Sequence, residues 1–145
     1  MTAPACSRRS LSATLACLLL VSSGSVPAAD PGAPASSGLS ATESAIVDRT
    51  NAARARRGLP ALVADASLMA GARRQAAWMA RNRSLTHGQG VTENIAMGQS
   101  SADEAVADWM RSDGHRANIL GGHGRIGVGV AHAADGTAYW CQQFR

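Results

Sequence analysis

The C-terminal stretch Ile126-Gly127-Val128-Gly129-Val130, then Asp135-Gly136, then Ala138-Tyr139-Trp140-Cys141-Gln142-Gln143-Phe144, reads as an antiparallel hairpin. Apolar residues alternate with glycine in the first arm, the pattern of a strand approached closely by other backbone. Asp-Gly between two such runs is a hairpin turn signal. Trp140 and Phe144 fall on one face of the return strand. Upstream, the regular patterns are helical. Three helices followed by a hairpin imply an α+β domain, with helices covering a small sheet.

The helices carry their own punctuation. Ser40-Ala41-Thr42-Glu43 is a capping box, in which the serine and glutamate side chains satisfy each other's free backbone amides. It opens a helix that runs to about Arg57, with Ile46, Val47 and Ala53 inward, until Gly58-Leu59-Pro60 stops it. Arg54, Arg56 and Arg57 lie in its last turn, where cations suit the helix dipole. Asp65 can cap a second helix through about Asn82. There Leu68, Met69, Ala72, Ala76 and Met79 recur at core-facing spacing. Ser84 to Gly90 reads as a loop, and Val91 to Met97 as irregular or a short strand. Ser101-Ala102-Asp103-Glu104 is a second capping box, opening a helix with Ala105, Val106, Trp109 and Met110 inward. Ser112-Asp113-Gly114 interrupts it, His115 to Leu120 forms a further short helical turn, and Gly121, Gly122 and Gly124 break the chain.

At the other end, residues 1–29 have the order of an export signal. Arg8 and Arg9 precede an apolar run, Leu11 to Val21, broken only by Ser12 and Thr14. Small residues with a cleavage site near Ala28 or Ala29 follow. The apolar run is about 11 residues, whereas a membrane span needs roughly 20. Ser7-Arg8-Arg9-Ser10-Leu11 partly matches a twin-arginine signal, and Cys17 lies inside the apolar core, where it makes a poor lipidation site. Residues 30–38 are a Pro/Gly/Ala/Ser linker, and residues 39–145 are of single-domain size. The expected mature chain has no transmembrane segment and is secreted or periplasmic. Cys6 and Cys17 leave with the signal, so Cys141 has no partner for an internal disulfide. Its apolar strand implies burial. Losing Arg8 and Arg9 reduces the formal net charge from +4 to +2. With so mild a charge and few aromatic residues, composition gives nucleic-acid binding no support.

His87, Glu93 and His115 are the residues with chemistry to offer. Each lies in or beside an expected loop, where functional groups concentrate. Two imidazoles and a carboxylate can hold a zinc-like ion, but the spacing is not a metal signature by itself, and both histidines can equally serve as local hydrogen-bonding groups. Trp109 is expected in the core. Asn94 is expected to tie a loop, and Arg116 and Asn118 to bond neighbouring carbonyls. His123 is expected to be solvated and His132 to lie near the hairpin turn.

Thr86-His87 with Gly90, Glu93-Asn94-Ile95-Ala96, Trp109 through Ser112 to His115-Arg116-Ala117-Asn118-Ile119-Leu120, Ile126-Gly127-Val128-Gly129, and Tyr139-Trp140-Cys141-Gln142-Gln143-Phe144 come in an order that resembles the CAP superfamily. This is the group of cysteine-rich secretory, antigen 5 and pathogenesis-related 1 proteins, here in a short bacterial, extracellular SCP-like form. The resemblance spans about Thr42 to Phe144. It implies a three-layer α-β-α sandwich, with a small, mainly antiparallel sheet flanked by helices, around a cleft with two His and two acidic residues. His87, Glu93 and His115 match three of the four. Ser112 stands in place of the second Glu, with Asp113 the nearest acidic substitute. The resemblance therefore implies weak, exchangeable binding of a divalent metal such as Zn2+ at His87, Glu93 and His115, with Asp113 as a further ligand.

Three functions follow as expectations. The first is a secreted module that binds a lipid, protein or cell-envelope component through the His/Glu cleft. The second is a hydrolase in which His87 or His115 is general base, oriented by Glu93, or in which a metal activates water. The third is an envelope-attached adaptor. No nucleophile is marked in the sequence, since nothing activates Ser112.

Overall fold

The computed structural model describes residues 38–145. The expected export signal and nearly all of the linker lie outside these residues. The elements in chain order are α1 (Ala41–Ala55), β1 (Val63–Ala64), α2 (Ala66–Asn82), β2 (Thr92–Met97), α3 (Ala102–Arg111), α4 (Asp113–Ile119), β3 (Arg125–His132) and β4 (Ala138–Phe144).

The capping chemistry sets the helix starts. Ser40 Oγ accepts from the Glu43 amide at 3.2 Å, and the Glu43 carboxylate accepts from the Ser40 amide at 2.8 Å. Arg73 of α2 donates to both Glu43 oxygens, at 2.6 and 2.7 Å, so the first turn of α1 is tied to α2. Burial alone would raise the Glu43 pKa, but the bonds from Arg73 and Ser40 outweigh it and hold the carboxyl below its usual value. Asp65 caps α2 through the amides of Ser67 and Leu68, both at 3.0 Å. At α3 the expected reciprocal box is shifted by one residue. Ser101 Oγ accepts from Glu104, but the Glu104 carboxylate takes the amide and hydroxyl of Ser100.

The sheet order is β1-β3-β4-β2, antiparallel except where β1 runs parallel to β3. β1 has only two residues, too short to show a period in the sequence. Segment 92–97, expected as irregular or a short strand, is a six-residue edge strand paired with all but the first residue of β4. α2 covers one face of the sheet, packing Ala72, Ala76 and Met79 against Ile95, Tyr139 and Cys141. α1 and α3 cover the other, where Ile46, Val106 and Trp109 pack with Val128, Trp140 and Phe144. The three layers match the expected sandwich.

The glycines of the opening motif explain how close the layers lie. A Cβ on Gly127 would collide with the backbone of Leu68, and one on Gly129 with that of Ala72. α2 thus rests directly on the β3 backbone. Among the described residues, no helix is long and apolar enough to cross a membrane.

The sharpest departure from expectation is Arg54. It is 1% exposed rather than solvated at the helix end. Its guanidinium donates to the carbonyls of Pro60 (2.9 Å), Ile119 (2.7 Å), Gly121 (2.9 Å) and His123 (3.2 Å). Position 54 lies on the inner face of α1, one residue after Ala53, and the 119–123 turn folds over it. His123 is likewise not free in solvent. Its ring stacks on Phe144, with centroids 5.4 Å apart. Burial, then the nearby Arg54 charge, lowers its pKa.

Candidate functional site

Strand register places the candidate residues. Glu93 pairs with Gln143, which pairs with Gly127, so this row of side chains faces α2. The next row, Asn94, Gln142 and Val128, faces α1 and α4. Neighbouring residues of β2 therefore serve two polar systems on opposite faces of the sheet.

Glu93 is the centre of the first. Its side chain is 1% exposed. Oε2 accepts from the Gly88 amide at 2.8 Å and from His87 Nδ1 at 3.2 Å. Oε1 accepts from Gln143 Nε2 at 3.0 Å and from the Cys141 thiol at 3.2 Å. A carboxylate offers about four lone-pair positions, and all four are used. Burial, followed by the adjacent Glu93 charge and hydrogen bond, pushes the Cys141 thiol far above its usual pKa, which keeps it a neutral donor. Cys141 is buried, as its sequence context implied.

His87 is held at one edge only. With Nδ1 carrying the proton toward Glu93, the neutral ring keeps a free lone pair on Nε2, and the side chain is 58% exposed. The carboxylate thus fixes the tautomer and leaves the outer nitrogen available.

The second polar system positions His115. Thr50 Oγ1 donates to the Ile46 carbonyl at 2.7 Å and accepts from Gln142 Nε2 at 2.7 Å. Gln142 Oε1 accepts from Asn94 Nδ2 at 3.2 Å, and Asn94 Nδ2 also donates to the His115 carbonyl at 3.1 Å. Asn118 Nδ2 bridges Asn94 Oδ1 and the Glu93 carbonyl, at 2.9 and 3.3 Å. Asn94 therefore does not tie a loop: it sits on a strand and anchors α4, because the β2 register turns it toward that helix. Arg116 bonds the Met110 carbonyl at 3.2 Å, as expected of a carbonyl-binding residue. His115 is half-buried. Burial, then the His87 imidazole, lowers its pKa.

The remaining candidates lie apart. The Asp113 carboxylate is 92% exposed and pairs with Arg116 at 2.6 Å. Ser112 is the N-cap residue of α4 but makes no side-chain cap bond. His132 ends β3, exposed. Trp109 is buried at 1% exposure, and its Nε1 donates to the Ile95 carbonyl at 3.1 Å.

As a cation site the set fits only in part. Among the described residues, no three His, Cys, Asp or Glu side chains are grouped as metal ligands. Glu93 would have to give up one of its four donors to ligate, whereas both imidazoles have a nitrogen to offer. Sequence reading missed Thr50, Gln142 and Gln143. For Gln142 and Gln143 the only signal was the presence of polar residues at both face positions of a strand otherwise read as apolar, and for Thr50 it was a polar residue four positions after Ile46 on the inner face of α1.

Comparison with known proteins agrees with this architecture. The chain is 36% identical over 128 residues to the uncharacterized protein YkwD of Bacillus subtilis (strain 168), an alignment covering 76% of this chain and 49% of that protein. It thus spans about half the length of that relative. An outer surface protein from Borrelia burgdorferi superposes with a TM-score of 0.63 at 19% identity, over 68% of this chain and 87% of that one. An extracellular protein containing a SCP domain from Bacillus anthracis str. Ames superposes with a TM-score of 0.58 at 26% identity, over 72% of this chain and 40% of that one. The profile of the cysteine-rich secretory protein family, CAP, matches residues 47–144, and the chain belongs to that family.

Proposed function

We propose that this chain is an exported binding module that presents His87 and His115 as a paired imidazole cleft to an extracellular ligand. The supporting observation is the saturation of Glu93. A carboxylate whose lone pairs are filled by Gly88, His87, Gln143 and Cys141 is built to hold His87 in one tautomer. It is poorly placed to move a proton or ligate an ion. Export is inferred from the leader-like residues 1–29, in keeping with the extracellular SCP-domain protein of Bacillus anthracis. A zinc-like ion, where it binds, is held by His87 Nε2 and the His115 imidazole, with Glu93 acting through His87. Two protein donors make such binding weak and exchangeable.

One observation favours the hydrolase reading as an alternative. The His87–Glu93 pair is the orienting half of a general-base system. Among the described residues no nucleophilic hydroxyl or thiol completes it: Cys141 is buried as a neutral donor to the same carboxylate.

Zinc calorimetry tests the proposal. Binding requires neutral imidazoles, so the heat should be larger at about pH 7.5 than at about pH 5.5, on either side of the ordinary imidazole pKa of about 6.5. His87→Ala and His115→Ala should each abolish it, and Asp113→Asn should not. Equal heats for wild type and both histidine variants would remove the paired-imidazole site. Hydrolysis of a peptide or ester panel, lost in His87→Ala, would favour the enzyme.

A further inference from the structure

The chain has five aromatic side chains, and four of them are buried. The exception is Trp78, 41% exposed on the outer face of α2. Arg74 lies four residues before it and Arg81 three after, so all three share one helix face. Together they line a groove of about 670 Å³ between α2 and the segment at Gly88 and Val91. The helix residues that line it, Ser67 to Arg81, span about 21 Å at the α-helical rise.

Among the described residues, no acidic side chain lines this groove. Arg74 and Arg81 form no ion pair or hydrogen bond among the described residues, unlike Arg49, Arg73, Arg111, Arg116 and Arg145. The floor is a glutamine amide. Gln143 is 7% exposed; its Nε2 is committed to Glu93, while no group among the described residues bonds Oε1. Gly71 leaves the space this amide needs, because a Cβ there would collide with Gln143 Oε1. Gln75 repeats the pattern at the groove wall: Nε2 is spent on the Thr86 carbonyl and Oε1 is left over.

The groove thus offers two unpaired cations, one open indole face and two amide oxygens that need donors. Amide oxygens cannot accept from phosphate diesters or sulfate monoesters, which have no proton to give at neutral pH, whereas sugar hydroxyls donate readily. A pyranose ring supplies the flat face for Trp78, and carboxylates pair with guanidinium groups. We propose that this groove is a second binding site, separate from the imidazole cleft, for a carbohydrate chain carrying carboxylate groups. It does not depend on the function proposed for His87 and His115.

Calorimetry of the purified protein with a galacturonate oligomer, its methyl ester, and phosphatidylglycerol vesicles tests this. The acidic oligomer should bind, weakening as salt rises. The uncharged ester, and separately the double variant Arg74→Gln/Arg81→Gln with an unchanged melting temperature, should each bind roughly tenfold or more weakly. Trp78→Ala should also weaken binding, whereas His115→Ala should leave it unchanged. Equal binding of acid and ester, binding of vesicles alone, loss in His115→Ala, or no binding of the acidic oligomer would each overturn the proposal.

Discussion

Replacing Arg54 by methionine removes a buried cation while keeping most of the aliphatic volume. The guanidinium is 1% exposed, and each of its four hydrogen-bond partners is a carbonyl, so no carboxylate repays its desolvation. Burial pushes its pKa below the usual arginine value. Two effects then compete. Removing the charge cancels a desolvation penalty, which by itself would stabilise the folded state. It also removes the donor from the Ile119 carbonyl, which is buried, and from the carbonyls of Pro60, Gly121 and His123, which are part-buried and open to water; a buried unsatisfied acceptor costs about 1–3 kcal/mol. The Ile119 acceptor alone is worth about 1–3 kcal/mol, a sizeable share of the roughly 5–15 kcal/mol that holds a domain together. At about 4–8 °C per kcal/mol for a domain of this size, the melting temperature should fall by roughly 4 °C or more. Arg54→Lys should be intermediate, because one ammonium cannot reach all four carbonyls. Scanning calorimetry of wild type, Arg54→Met and Arg54→Lys measures this. A methionine variant melting within about 2 °C of wild type would mean that desolvation had cancelled the hydrogen bonds, and Arg54 would not be what holds the 119–123 turn.

Other consequences are simpler. Trp109→Ala should cost about 3–5 kcal/mol for the cavity, and Trp109→Phe about 1 kcal/mol for the orphaned Ile95 carbonyl. Urea melts with an unchanged m-value would establish both. Gly129→Ala should destabilise although alanine is the better strand residue, because its Cβ meets the Ala72 backbone, which cannot rotate away. A neutral melt would show that α2 lies farther from β3. His123 has a lowered folded-state pKa, so on acidification the unfolded chain protonates first. The stability this group contributes is therefore complete above about pH 6.5 and is lost as pH falls below it, before Glu43 is lost at lower pH still. His123→Phe, which keeps the stacking on Phe144, should reduce the fall in melting temperature between about pH 7 and pH 5. An identical pH profile would assign that window to other groups.

Local chemistry was legible in the sequence wherever one residue's neighbours along the chain decide its role. Ser40-to-Glu43 and Asp65 are satisfied within three residues, so the starts of α1 and α2 could be read directly. The alternation at 126–130 and the Asp135-Gly136 turn specified the hairpin for the same reason. His87, Glu93 and His115 were also legible, as polar groups in motifs that no core needs. Tertiary structure alone decided what those groups do. Glu93 has the composition of a ligand, but a strand 48 to 50 residues away brings Cys141 and Gln143 to it and fills its lone pairs. Asn94 reads as a loop residue until the β2–β4 register turns it toward α4. Arg54 looks like an exposed helix-end cation, and only the return of residues 119–123 supplies the carbonyls that bury it. A side chain's type fixes how many hydrogen bonds it can make. Which partners fill them depends on contacts between residues far apart in the chain, and those exist only once the layers have packed.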